Sequence, residues 1–279
     1  MTFRQFGSGS RQVSAIGQGT WYIDRGDRQS AVATLRRGID LGMTHIDTAE
    51  MYGDAEPVIA EAIAGRRDEI FLVSKVLPSN ASRRGTIAAC ERSLARLKTD
   101  RLDCYLLHWR GSYPLAETVA AFEQLVNAGK IRSWGVSNFD VDDLDEMLAV
   151  AGEGRIACNQ VLYHLQERAI EHAVIPWCVK HGAAVVAYSP FGHNDFPDPR
   201  SKAGEVLQMI AKRHAASPRQ IALNFLTREP RLFAIPKAST PEHAADNAAA
   251  GELILGDDEI AALDKTFPRG PKPRSLPML

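Results

Sequence analysis

Cysteine is scarce in this chain of 279 residues, and what there is does not cluster. Cys90, Cys104, Cys158 and Cys178 form no C-x-x-C pair and no set with metal-ligand spacing. That excludes a disulfide scaffold and a zinc ribbon, and it leaves four reduced, buried thiols of a cytosolic protein. No run of 18 apolar residues occurs, so no segment is expected to span a membrane. The first residues, MTFRQFGSGSRQ, are polar and lack the apolar core of a signal peptide. No charge of one sign dominates: 33 Lys and Arg balance 34 Asp and Glu, for a formal net charge of -1. Without a basic tract, zinc-finger spacing or aromatic residues set among basic ones, nucleic acid is not an expected partner. A G-x-G-x-x-G fingerprint is also missing, since GSGSRQVSAIG has the wrong spacing. This speaks against a Rossmann domain.

What is present is an alternation that runs the length of the chain. After a hairpin near Phe3–Phe6 and Gln12–Ser14, short apolar strands are expected at Ala15–Thr20, Thr44–Thr48, Ile70–Lys75 and Leu102–His108. Four more are expected at Ile131–Ser137, Ala157–Leu162, Ala184–Tyr188 and Leu232–Pro236. Between them lie SAVATLRRGIDLG, RRGTIAACERSLARLK, LAETVAAFEQLVNAG and EVLQMIAKRHA, whose apolar residues return every three or four positions, as in helices packed on a sheet. Gly42, Gly65, Gly129 and Gly182 close several helical stretches, where a left-handed cap is needed. Eight βα units in about 250 residues predict an α/β fold, a closed (β/α)8 TIM barrel, with an N-terminal β-hairpin. Extra helices are expected late, at Pro218–Arg228 and Asp257–Lys265, and the tail PRGPKPRSLPML is expected to wrap or to dangle. The whole chain, 1–279, is read as one domain.

In such a barrel, chemistry gathers at the C-terminal ends of the strands. Read in order, those ends carry Asp47 with Tyr52 just beyond, Lys75, His108, Ser137–Asn138, Asn159–Gln160, Tyr188–Ser189 and Lys237. Each has a plainer reading. Asp47 can cap a turn, Lys75 can lie along a rim with its ammonium in water, His108 can be a hydrogen-bonded rim histidine, and Tyr52 can be loop packing. Together they have a chemical logic. A tyrosine is a weak acid, with a pKa of about 10. A neighbouring ammonium favours the phenolate, and a carboxylate holds the ammonium in place. A histidine across the pocket polarises the same carbonyl oxygen. This suits hydride addition to a carbonyl, and no side chain supplies hydride, so a hydride-carrying cofactor is required.

The segments IDTAEMYG, FLVSK, LLHW, GKIRSWGVSNF, NQVLYH, VVAYSPFG and IPKASTPEHAADN, in this order, resemble the aldo-keto reductase superfamily, from about Phe3 to Lys265. The resemblance implies a barrel that binds NADPH, with NADH possible but weaker. It matches Asp47, Tyr52, Lys75 and His108 to a catalytic tetrad, with Tyr52 as general acid. It matches Ser137, Asn138 and Gln160 to the nicotinamide carboxamide, Tyr188 to stacking on the nicotinamide ring, Ser189 and Phe191 to the pyrophosphate path, and Lys237 to the adenosine 2'-phosphate. One departure stands out. The family pattern carries an arginine six residues beyond that lysine, followed by Glu-Asn, where this chain has His243, Asp246 and Asn247. A histidine lacks the guanidinium fork that grips a phosphate.

Among subgroups, GQGTWY, TAEMY, LLHW and VIPWC resemble small bacterial reductases of methylglyoxal and short aldehydes. The short loops after His108 and Tyr188 then imply small aldehydes, 2-oxoaldehydes or ketones as substrates, with Trp21, Met51 and Trp109 as an apolar wall. Trp21 also has a core reading. A monomer, or at most a weak dimer, in the cytoplasm is expected. Two rival classes are a metal-dependent barrel hydrolase using His45, Asp47 and His108, and a nucleotide-binding barrel without turnover. Lys75 beside Asp47 opposes the first by charge, and His45 is expected to lie within a strand and be satisfied by a neighbour. No metal is expected.

Overall fold

The computed structural model describes residues 1–279. β1 (Phe3–Gln5) and β2 (Gln12–Ser14) form the antiparallel hairpin. Eight parallel strands follow in sequence order: β3 (Gln18–Gly19), β4 (His45–Asp47), β5 (Phe71–Val76), β6 (Leu102–Leu107), β7 (Ile131–Ser137), β8 (Ile156–Leu162), β9 (Ala184–Tyr188) and β10 (Leu232–Ala234). The sheet curls until its edges meet. A parallel bridge joins Ile16 to Ala234, and Gly19 N donates to Pro236 O at 3.1 Å.

The seam accounts for the shortening of the first and last of these strands. Only Gln18–Gly19 of Ala15–Thr20 and Leu232–Ala234 of Leu232–Pro236 are regular ladder, because the last strand to close must meet the first through single bonds. The backbones approach so closely there that a Cβ on Gly19 would come within 2.5 Å of Ile235 O.

The helices α1 (Arg28–Asp40), α2 (Ala55–Ala62), α3 (Arg83–Leu97), α4 (Leu115–Asn127), α5 (Val141–Ala151) and α6 (Val174–Lys180) follow successive strands. α7 (Lys202–Arg213) and α8 (Pro218–Leu226) lie between β9 and β10, while α9 (Pro241–Ala249) and α10 (Asp257–Thr266) follow β10. α7 starts three residues before the apolar repeat suggests, because Ser201 Oγ caps it by accepting from Gly204 N. Gly42, Gly65, Gly129 and Gly182 all take left-handed φ. No helix is long and apolar enough to cross a membrane.

Apolar burial has two parts. The larger lies between sheet and helices. The smaller fills the barrel interior with Phe71, Val73, Cys104, Leu106, Val186 and Phe233, and the hairpin adds Phe6 and Val13 as a plug. Each such side chain contributes about 1.5–3 kcal/mol when fully buried. The hairpin is also pinned by charge: Arg11 reaches the buried carboxylate of Asp103, which also accepts from Arg67 (2.8 Å) and from Leu72 N (2.9 Å). With one end of the barrel closed, the other end is left for chemistry.

Candidate active site

Strand alternation builds this site. Successive inward positions on one strand are two residues apart. Thus Phe71 and Val73 fill the barrel and Lys75 emerges above them, while Cys104 and Leu106 lead to His108. On β4 the same step runs from His45 to Asp47. Lys75 is 0% exposed and Asp47 1%, which removes the rim and turn-cap readings of both. Lys75 Nζ donates to Asp47 Oδ1 at 2.5 Å and to Thr48 O at 2.8 Å, and it lies 3.5 Å from Tyr52 Oη. The Tyr52 and His108 rings meet edge to face at 5.7 Å. Asp47 Oδ2 accepts from Gln160 Nε2, across the barrel on β8, at 2.7 Å.

These contacts set the charges. Burial works against the Lys75 ammonium, but Asp47 and Tyr52 more than offset it and hold its pKa above the ordinary lysine value. Burial raises Tyr52 above the usual phenol value, with Lys75 pulling the other way. The expectation that Lys75 leaves Tyr52 with a lowered pKa therefore needs correction: its pull is present, but desolvation outweighs it. Burial, with the Lys75 charge nearby, pushes His108 down to about 2, so its ring is neutral at ordinary pH. His108 Nδ1 is buried without a partner. Nε2 is not enclosed in this way and His108 lines the cleft, so a proton on Nε2 can be hydrogen-bonded there while one on Nδ1 cannot, and the neutral ring is assigned as Nε2–H.

A cleft of about 530 Å³ opens over this cluster. Its lining includes Asp47, Tyr52, His108, Ser137, Asn138, Gln160, Tyr188, Ser189, Phe191 and Lys237, along with Trp21, Met51 and Trp109. Trp21 stacks on Tyr22 at 4.4 Å and on Tyr52 at 6.4 Å, so it forms wall rather than core. Asn138 and Ser189 take left-handed φ of 59° and 47°, a strained backbone for residues other than glycine. Asn138 Oδ1 accepts from Tyr188 Oη at 2.9 Å, and Asn138 Nδ2 donates to His108 O at 3.1 Å.

His243, Asp246 and Asn247 do not line this cleft. They belong to α9, where His243 is exposed and Asn247 buried. Asp246 is committed to the N-terminal cap of α8, accepting from Ser217 Oγ at 2.9 Å and Gln220 Nε2 at 2.7 Å. His45 also departs from expectation. It is buried beside Phe6, Phe71 and Phe233, neither ring nitrogen has a hydrogen-bond partner, and burial pushes its pKa down to about 3. No group of three or more His, Cys, Asp or Glu side chains is arranged to hold a metal ion.

Other lining residues went unread in the sequence: Tyr22, His193, Met278 and Leu279 among them. Tyr22 and His193 adjoin residues already singled out. The tail gave no local signal, yet it wraps. Leu276 packs on the main core, and Leu279 N lies 3.4 Å from Tyr188 Oη.

The donor set suits a nicotinamide dinucleotide. An aromatic ring, Tyr188, stands in the wall, the amide oxygen of Gln160 is not taken up by any protein donor, and Lys237, which makes no ion pair, stands in the same lining. A parallel barrel with a lysine-held tyrosine at its mouth and such a wall is the architecture of a barrel oxidoreductase. The chain belongs to the aldo/keto reductase family, whose model matches residues 15–267. It is 48% identical over 265 residues to methylglyoxal reductase YeaE of Escherichia coli (strain K12), covering 94% of this chain and 93% of that protein. It is 34% identical over 267 residues to glyoxal reductase of Bacillus subtilis (strain 168), covering 94% and 92%. An aldo/keto reductase from Klebsiella pneumoniae, solved in complex with NADP and acetate, superposes with a TM-score of 0.92 at 46% identity over 99% of each chain.

Proposed function

We propose that this chain reduces small aldehydes, 2-oxoaldehydes and ketones to alcohols with NADPH, and that Tyr52 delivers the proton. The observation that carries this is the Lys75 ammonium, held 2.5 Å from Asp47 and 3.5 Å from Tyr52 at the floor of the cleft. NADPH, when bound, supplies the hydride. The protein's share is to bind, orient and protonate. Tyr52, neutral because burial raises its pKa, donates its hydroxyl proton to the carbonyl oxygen as that oxygen gains charge. Lys75 stabilises the phenolate left behind, and Asp47 keeps Lys75 charged. His108, neutral, donates a second hydrogen bond from Nε2 to the same oxygen.

In this reading, Ser137, Asn138, Gln160 and Tyr188 hold the nicotinamide end, Ser189 and Phe191 flank the pyrophosphate, and Lys237 meets the 2'-phosphate. Among the α9 residues, His243 is free to assist, whereas Asp246 is engaged elsewhere. Trp21, Met51 and Trp109 bound the substrate. The sequence from 1 to 279 acts as one barrel unit, a monomer in the cytoplasm. The relatives named for methylglyoxal and glyoxal support the substrate class. The test is NADPH consumption over a panel of short aldehydes and 2-oxoaldehydes. No cofactor-dependent turnover on any of them, with NADPH binding intact, would favour a barrel that binds nucleotide without catalysis.

A further inference from the structure

The Asp47 carboxylate is buried, and its two oxygens have different partners: Oδ1 faces Lys75 Nζ, and Oδ2 faces Gln160 Nε2 at 2.7 Å. A carboxylate only accepts, so this contact fixes the Gln160 amide with its nitrogen toward Asp47. The amide oxygen then accepts no hydrogen bond from the protein, and Gln160 lines the cleft. Gln160 is itself anchored. It pairs in register with Ser137 and Val186, and its carbonyl oxygen accepts from Ser137 Oγ at 2.8 Å and Asn138 N at 2.9 Å. One side chain thus touches the cofactor wall and the proton-donating cluster at once.

We propose that Gln160 is a positioning residue for proton transfer: its Nε2–H holds the second oxygen of Asp47, keeps the carboxylate from turning both oxygens onto Lys75, and leaves the Lys75 ammonium available to Tyr52. This rests on the reductase reading above and adds to it a role for Gln160 separate from any contact with the nicotinamide. The titratable groups facing Asp47 are Lys75 on β5, Tyr52 on the loop after β4 and His108 after β6, with His45, Cys104 and Cys158 deeper in the barrel. Among them only Lys75 carries positive charge near neutral pH, and Gln160 Nε2 is the other donor to the Asp47 carboxylate, so its amide restrains the carboxylate while Thr48 O holds the ammonium. Once freed from Gln160, the carboxylate draws the ammonium away from Tyr52 Oη. The phenolate is then less favoured, and the base form of Tyr52 appears at higher pH.

The experiment uses Gln160→Leu and Gln160→Met in the full chain. Both remove donor and acceptor without adding charge. The Met variant keeps the length and unbranched shape of the side chain, and it decides the matter if the Leu variant does not fold. The pH profile of kcat for alcohol oxidation is measured at saturating NADP⁺, so that weakened cofactor binding does not enter. The expected result is a shift of the midpoint of the rising limb upward by about one pH unit in both variants, the size expected for loss of one hydrogen bond to a charged group. A raised KM for cofactor with an unmoved profile would overturn the proposal and leave Gln160 as a cofactor ligand only. Absence of NADPH-dependent turnover in the unmodified protein would instead defeat the reductase reading itself.

Discussion

Lys75 Nζ stands 3.5 Å from Tyr52 Oη, at the long limit of a hydrogen bond, while two of its three N–H donors go to Asp47 and Thr48 at shorter range. The proton donor is therefore not yet tightly bound to the cation that stabilises its conjugate base. Catalytic hydrogen bonds often tighten only when substrate and cofactor are in place. Tyr52→Phe keeps the ring that packs against Trp21 and His108 and removes only the hydroxyl. It should bind NADPH normally and lose about 10²- to 10⁴-fold in kcat. Near-normal kcat on a plain aldehyde would show that another group protonates the oxygen.

Lys75→Met tests the pull of the ammonium on the phenol. Burial already raises Tyr52, and Lys75 is what opposes it. Its removal should raise Tyr52 further and move the alcohol-oxidation profile to higher pH. The same change strands a buried Asp47 carboxylate, at a cost of about 3–5 kcal/mol. Asp47→Asn combined with Lys75→Met should recover part of that stability without restoring the profile. A single variant as stable as the parent, with an unchanged profile, would contradict both parts.

Much of this was legible beforehand because strand periodicity is local. IFLVSK and LDCYLLH place Lys75 and His108 on the inward face by alternation alone, and Ile131–Ser137 and Ala184–Tyr188 have the expected bounds. What was not legible depends on contacts distant in sequence. Gln160 reaches Asp47 across 113 residues of chain. Leu279 meets Tyr188 only because the tail happens to return over the barrel. Asp246 reads like a cleft residue until α8 presents Ser217 and Gln220 to it.

His45 supplies a test of stability. Its folded pKa is about 3, against an unfolded value of about 6.5. Between these values the unfolded chain holds a proton that the folded chain does not. Stability should therefore fall as pH drops below about 6.5, by up to about 1.4 kcal/mol per pH unit from this residue, and be flat with respect to it above that range. His45→Leu should lose less stability between pH 7 and pH 5 than the parent. Denaturant titrations at both pH values measure this, and equal losses in the two proteins would mean that His45 has a partner in solution.

Substrate size follows from the shared cleft. Its volume of about 530 Å³ must hold the nicotinamide end of the cofactor as well as the substrate, between Trp21 and Trp109. Methylglyoxal should give a higher kcat/KM than a substituted benzaldehyde, and a steroid ketone should react poorly. Trp21→Ala should narrow the gap between the first two by opening the wall beside Tyr52. A steroid preferred by the parent enzyme would require a larger site than the one these side chains leave.

Cofactor choice rests on a single cation within the cleft. Lys237 is exposed, lines the cleft and has no acidic partner, so its charge is available to a 2'-phosphate. His243, in the first turn of α9, is exposed but outside the lining, and its backbone N is spent on Thr240 Oγ1 at 3.3 Å. One flexible ammonium without a guanidinium fork should give a preference for NADPH, but a modest one. Charge-assisted hydrogen bonds contribute about 1.5–3 kcal/mol, so Lys237→Ala should weaken NADPH binding by at least about tenfold and leave NADH nearly unchanged. His243→Arg supplies the guanidinium fork that the family pattern carries at this position, and it should widen the NADPH-to-NADH ratio. Dissociation constants of both reduced cofactors for the parent and the two variants decide the point. Equal loss of NADPH and NADH in Lys237→Ala would place that lysine on the part of the dinucleotide common to both, and the basis of discrimination would have to be sought elsewhere along the cleft.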